Sequence, residues 1–126
     1  MEPEPSLQAG DFDEWYADMT TSPVKDEIQQ RHLGLPPHLL STSLLGWAGI
    51  AEAVAALRLT AAGTLVDLAC GRGGYGLEIA ARTGARLIGV GFSAEAVRQA
   101  REQARPGAIS RTSPTRTGGG RSRWSR

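Results

Sequence analysis

Apolar residues recur at helical spacing in the first third of the chain. Between positions 11 and 19 they fall at i, i+3, i+4 and i+7, one face of a helix: Phe12, Trp15, Tyr16 and Met19. Asp11, followed three residues later by Glu14, predicts a capping box where this helix begins. Ser22 and Pro23 form the start of a second helix, which we expect to end near Gly34.

The middle of the chain changes to an alternation of strand and helix patterns. Ser43 precedes a stretch, residues 44–57, that is apolar around most of a helix and predicts burial on more than one side. Short apolar runs at 64–70 and 86–90 predict two strands, each followed by a helix, at about 75–83 and from Ser93 to about 104. The order β-α-β-α predicts two parallel strands with a right-handed crossover.

The two ends differ from this pattern and predict four segments. Residues 1–10 combine prolines with acids and little apolar content, which predicts a disordered tail. Residues 106–126 are almost wholly Arg, Ser, Thr, Gly and Pro, which predicts a second disordered, basic tail. Between them we expect a helical cap over 11–62 and an α/β unit over 63–105.

Composition restricts the class of protein. The chain has 126 residues, a formal net charge of +1 and one cysteine, which fits one small domain and excludes a disulfide framework or a multi-cysteine zinc module. The apolar stretch 44–57 is too short to span a membrane, and the acidic start lacks the positive region of a secretory signal. We therefore expect a cytoplasmic protein without a membrane partner.

A glycine-rich turn joins the first predicted strand to its helix. Residues 71–76 contain G-x-G-x-x-G, a pattern that lets the backbone and a helix N-terminus approach a ligand. Asp67, near the end of the strand, would repel a pyrophosphate and favour a ligand with a positive group. With Asp67, Gly71 and Gly73 in D-x-x-x-G-x-G, the chain resembles the class I S-adenosylmethionine-dependent methyltransferases, closely over 64–105 and loosely over 11–59.

The resemblance implies a Rossmann-like fold, S-adenosylmethionine as cofactor and methyl transfer to a small-molecule acceptor. It implies a cofactor site formed by the first strand end and turn, by the cap, and by the second strand end: Asp67, Ala69, Cys70, Gly71 and Gly73; Tyr16; Gly91 and Phe92. In that family the acid matching Asp67 lies near the cofactor's ammonium group. No residue is assigned to catalysis and none to a metal.

The sequence departs from the family at two places. Gly91 stands where the family has an acid that binds the ribose hydroxyls, and nothing after Arg105 resembles the family's later strands. The resemblance therefore implies an incomplete, truncated fold, and it leaves open whether the chain is an enzyme. A second strand with an open apolar edge would also favour self-association or aggregation.

Other interpretations of the same residues remain open. The chain could be a non-catalytic fragment that binds cofactor weakly or not at all, or an NAD-binding Rossmann protein that uses the same glycine pattern. Trp15, Tyr16 and Trp47 could be core anchors, and Cys70 a small buried apolar residue. The basic tail could contact nucleic acid. Alternatively, its arginines are only solvated, as is usual in a disordered tail.

Overall fold

The protein is a mixed α/β structure in a computed structural model that describes residues 6–40, 43–104 and 122–125. Its helices and strands are α1 Ala9–Thr21, α2 Pro23–Leu33, α3 Trp47–Leu57, β1 Thr64–Leu68, α4 Gly74–Thr83, β2 Arg86–Gly91, α5 Ala94–Gln103 and β3 Ser122–Ser125. The predicted order of a helical region followed by β-α-β-α is confirmed. No helix of the described ranges is long and apolar enough to cross a membrane.

Local residues set most of the helix boundaries. Pro23 occupies the first turn of α2, and Gly34 ends that helix with φ +66°, a left-handed conformation that glycine adopts at little cost. The Ser93 hydroxyl accepts a hydrogen bond from the Ala96 amide at 3.1 Å and caps α5 as predicted.

Helix α1 begins earlier than its sequence pattern predicts. The N-cap residue is Gln8 and not Asp11, and the helix begins at Ala9. The Gln8 amide donates to the Asp11 carboxylate at 2.7 Å. The capping box predicted between Asp11 and Glu14 is therefore wrong. Positions 9 and 10 of the predicted tail over 1–10 belong to α1, and positions 1–5 lie outside the described residues.

Helix α3 is shorter and more exposed than predicted. It begins at Trp47 rather than directly after Ser43, and Ile50 is its one fully buried residue. Trp47 and Leu57 are both exposed. The predicted burial on more than one side is wrong, because α3 packs through one stripe against α4 and leaves its other faces in solvent.

The predicted parallel strand pair is confirmed. Strands β1 and β2 are parallel, in a register that runs from Thr64 opposite Arg86 to Leu68 opposite Val90. The remaining edge of β2 is not open, because β3 pairs with it in antiparallel orientation, with Ser122 opposite Gly91. Positions 122–125 of the stretch 106–126 form this strand, and the other positions of that stretch lie outside the described residues.

Helices α4 and α5 cover one face of this sheet. Leu87 of β2 is completely buried against Ala80 of α4 and Val97 of α5. Residues of β1 on the opposite face are far less covered, since the side chains of Val66 and Leu68 are 53% and 73% exposed. The edge strands of the sheet in the described part of the chain are thus β1 and β3, and not β2 as the sequence predicted.

Helix α1 is fixed to the start of α5 by polar contacts. The Asp13 carboxylate accepts hydrogen bonds from the Ser93 hydroxyl at 2.5 Å and from the Glu95 amide at 3.0 Å. One turn further on, the Gln99 side chain donates to the Tyr16 carbonyl oxygen at 2.9 Å. These contacts place the two helices side by side and in the same direction.

Candidate functional site

The turn after β1 has backbone angles typical of a loop whose main chain can lie close to a ligand. Ala69, Gly71 and Gly73 have φ values of +57°, +51° and +77°, all in the left-handed region. The Cys70 amide donates to the Val90 carbonyl oxygen at 3.0 Å, which fixes the turn to the end of β2. Glycine adopts these φ values freely, but alanine pays a steric cost, so Ala69 is held there by its surroundings.

A cavity of about 220 Å³ lies at this turn, beside the carboxyl end of β1. Its lining combines the strand end, the turn, the start of α4 and the α2–α3 connection: Leu40, Ser43, Asp67, Ala69, Cys70, Arg72, Gly73, Gly74 and Tyr75. Four of the predicted cofactor residues are therefore brought together: Asp67, Ala69, Cys70 and Gly73. The cavity is smaller than the roughly 300–1,000 Å³ of pockets that hold whole small-molecule ligands.

Asp67 supplies an acid to this cavity. Its side chain makes no hydrogen bond or ion pair with any residue of the described ranges. Burial raises the pKa of the Asp67 carboxyl above its usual value of 3.8, because the ionised form loses contact with water. A positive ligand group in the cavity would compensate this cost and stabilise the ionised carboxylate.

Gly76 makes room for that carboxylate. A Cβ at Gly76 would lie 2.6 Å from the Asp67 Oδ2 atom and 3.2 Å from the Leu87 side chain. The first turn of α4 therefore approaches Asp67 closely only because position 76 has no side chain. The third glycine of G-x-G-x-x-G thus has a steric role, because it avoids a clash with the Asp67 Oδ2 atom.

The remaining predicted residues do not line the cavity. Gly71 belongs to the turn but is absent from the lining, and Gly91 is buried behind Cys70. Phe92 is half-exposed and packs its ring edge-on against Phe12, with 5.7 Å between the ring centres. Tyr16 lies on α1 with its ring 4.9 Å from that of Trp15.

Position 91 leaves little space for the ribose-binding acid of the family. A Cβ there would lie 2.9 Å from the Val97 Cγ2 atom and 3.3 Å from the Cys70 Sγ atom. An aspartate would therefore require Val97 to move. The strand ends therefore present an acid at Asp67 and none at Gly91.

A buried ion pair between Arg72 and Asp26 joins the helical region to the turn. The Arg72 guanidinium, whose residue is 2% exposed, donates from its two terminal nitrogens to the two Asp26 carboxylate oxygens at 3.0 and 2.6 Å. Such bidentate pairs are strong and directional. Sequence analysis missed this pair, since the two residues lie 46 positions apart and no local pattern links them.

The α2–α3 connection lies against the same turn. A Cβ at Gly74 would collide with the Leu40 carbonyl oxygen, so the connection and the start of α4 are in close contact. The Tyr75 hydroxyl donates to the Leu45 carbonyl oxygen at 2.8 Å and lies 3.2 Å from that of Ser43. The part of the predicted cap that reaches the cavity is thus this connection, and not Tyr16.

Trp47, for which the sequence left open a role as a core anchor, lies away from this cavity. The Arg82 guanidinium sits 4.2 Å from the centre of the Trp47 ring, a cation–π contact at the opposite end of α4 from the turn. Trp47 is absent from the lining of the Asp67 cavity. Its position thus supports a packing function for this residue.

A second and larger depression lies along the outer side of α4. Its volume is about 340 Å³, and His38 and Glu78 line it with 3.6 Å between the His38 Nε2 and Glu78 Oε2 atoms. Its backbone lacks the left-handed turn found at Asp67. We therefore place the candidate site at the smaller cavity.

Neither a metal site in the described ranges nor a known relative gives further information about this cavity. Within the described ranges, no group of three or more His, Cys, Asp or Glu side chains is arranged to hold a metal ion. No protein-family model, curated protein or solved structure matches the chain.

Proposed function

We propose that the chain binds S-adenosylmethionine through the turn at residues 67–76 and belongs to a methyl-transfer system with a small-molecule acceptor. The observation that carries this proposal is Asp67, an acid in a small cavity without a partner among the described residues. A ligand with an ammonium group compensates the cost of burying that acid. The cofactor has such a group, and it supplies an activated methyl group when bound.

The backbone supports the same ligand. Left-handed residues at 69, 71 and 73 bend the chain sharply before α4, and the amides at the start of α4 lie beside the cavity. Helix N-termini favour negative ligand groups, such as the carboxylate of an amino acid. An acid and a helix N-terminus together suit the two opposite charges of the cofactor's amino-acid end.

The competing nicotinamide dinucleotide is less well matched to this cavity. Its pyrophosphate would lie next to the Asp67 carboxylate, and like charges at short distance repel each other. The cavity of about 220 Å³ also suits an amino-acid group better than a dinucleotide. We therefore rank the methyltransferase cofactor first.

The test is calorimetric titration of the whole chain with S-adenosylhomocysteine, which keeps the amino-acid and adenosine parts of the cofactor. We expect saturable binding that Asp67→Asn weakens by about tenfold or more, because a charge-assisted hydrogen bond contributes about 1.5–3 kcal/mol. The matched control is Glu52→Gln, which removes an exposed acid on α3 and should leave the affinity unchanged.

The outcomes separate the candidate functions. Binding of S-adenosylhomocysteine that is lost in Asp67→Asn, together with no binding of NADH, supports the proposal. Saturable binding of NADH that Asp67→Asn strengthens would replace it with the dinucleotide. Absence of binding by either ligand to the folded chain would refute it and leave the non-catalytic fragment.

A further inference from the structure

The outer side of α1 combines acids with an exposed aromatic ring. Asp11, Glu14, Trp15 and Asp18 are all exposed, and we call these four residues the acidic aromatic face. Asp11 and Asp18 stand four residues before and three residues after Trp15, so they flank its ring on one side of the helix. Trp15 is 48% exposed, which is a large apolar surface to leave in water.

A shallow apolar depression lies beside this ring. It encloses about 300 Å³ and is lined by Leu7, Asp11, Phe12 and Trp15. Leu7 is also largely exposed. The depression shares no lining residue with the Asp67 cavity. The acidic aromatic face is therefore independent of the proposed cofactor site.

The charge of α1 is not balanced by its neighbours. The helix contains four acids and no basic residue. Glu14 and Asp18 form no ion pair with any residue in the part of the chain that the structure describes. An acidic surface around an exposed indole ring is complementary to arginine, which pairs with carboxylates and stacks on aromatic faces.

The chain itself contains a segment of that chemistry. Residues 105–121 include four arginines, at 105, 111, 116 and 121, and no acid. We propose that the acidic aromatic face of α1 is the docking surface for this arginine-rich segment of the same chain. Opposite charge alone would also suit a foreign basic peptide, but the positions of the segment's two ends favour the chain's own residues.

The described elements on either side of the segment, α5 and β3, lie near α1. Helix α5 runs in the same direction as α1, from the Asp13–Ser93 contact to the Gln99–Tyr16 contact, so it ends beside the C-terminal part of α1. The chain returns at Ser122, which pairs with Gly91.

That return point is also next to α1. Gly91 precedes Phe92, whose ring contacts Phe12 of α1 at 5.7 Å. Seventeen residues can extend about 56 Å, whereas the ten residues of α5 span about 15 Å. The segment therefore has enough length to reach the acidic aromatic face, and its attachment gives it a high effective concentration there.

Trp15 fluorescence can test this docking in the whole chain. With Trp47→Phe and Trp124→Phe, Trp15 becomes the only tryptophan, and quenching by the neutral molecule acrylamide measures how exposed its ring is. We expect quenching to increase about twofold when the arginines at 111, 116 and 121 are replaced by serine, because the Trp15 ring then loses the guanidinium groups that would stack on it. Arg86→Ser, at an exposed position of β2, is the control and should change nothing.

A second measurement uses the chain without the arginine substitutions. Raising the ionic strength from about 0.1 M to about 1 M shortens the screening length from about 10 Å to about 3 Å and should increase quenching in the same way. Equal quenching with and without the arginines, or no effect of salt, would overturn the proposal. An arginine effect that appears only at high protein concentration would overturn it too, because the occupant would then be a second copy.

Discussion

Ala69 is the residue at which the structure makes its sharpest energetic prediction. Its φ of +57° lies in the left-handed region, where an L-residue with a Cβ pays about 1–2 kcal/mol. Ala69→Gly removes that cost. It also gives the unfolded chain more conformational freedom, which opposes the gain by about 0.4–1 kcal/mol.

The difference between these two effects predicts stabilisation. We expect Ala69→Gly to increase the free energy of unfolding by about 0.8 kcal/mol, which raises the melting temperature by about 4 °C for a domain near 100 residues. The side chain of Ala69 is exposed, so its loss removes little apolar burial. Urea unfolding measures this change directly through the midpoint at constant slope.

Ala81→Gly is the matched control. Ala81 is exposed and lies inside α4, where glycine is less favourable than alanine by about 0.5–1 kcal/mol. The same chemical change should therefore stabilise the protein at position 69 and destabilise it at position 81. Destabilisation at both positions would mean that the backbone at Ala69 is not left-handed, and the geometry of the cavity would have to be revised.

Three further predictions concern the same region. Asp26→Ala leaves the buried Arg72 guanidinium without its bidentate partner, and we expect a loss of about 3–5 kcal/mol in urea unfolding. Gly76→Ala should cost about 1–3 kcal/mol because its Cβ meets Asp67 at 2.6 Å, whereas Gly10→Ala, with open space around its Cβ, should stabilise α1 by about 0.5–1 kcal/mol. Burial raises the folded-state pKa of Asp67, so its contribution to stability should fall as the pH rises from about 3.8 through that raised pKa. Asp67→Asn should remove this dependence, which urea unfolding of both chains from about pH 3 to about pH 7 would measure; equal pH profiles would contradict it.

Local sequence determined the elements around the candidate site. Pro23 and Gly34 bound α2 as predicted, and Ser93 caps α5 with its own hydroxyl. These features depend on interactions between residues three or four positions apart, so the sequence pattern contains the information. The parallel pairing of β1 and β2 was predictable for a related reason, since a helix between two apolar runs returns the chain to the same edge.

The predictions that failed were those in which two local patterns compete or in which packing decides the outcome. Helix α1 begins at Ala9 because the Gln8 amide donates to the Asp11 carboxylate. The sequence also contains a competing capping pattern, formed by Asp11 and Glu14. Helix α3 is apolar on several sides, yet only Ile50 is fully buried. Apolar composition allows burial, but the neighbouring elements decide how much of it takes place.

The candidate site likewise contains contacts that the sequence predicted and contacts that it did not. Asp67, Ala69, Cys70 and Gly73 meet in one cavity because strand and turn place consecutive residues together. The buried Arg72–Asp26 pair joins residues 46 positions apart, and no local pattern indicated it. Contacts between distant segments depend on how the whole chain packs, because many pairings satisfy the same local preferences. The tertiary structure alone therefore decided which acid pairs with Arg72, which connection lies against the turn, and which strands form the edges of the sheet.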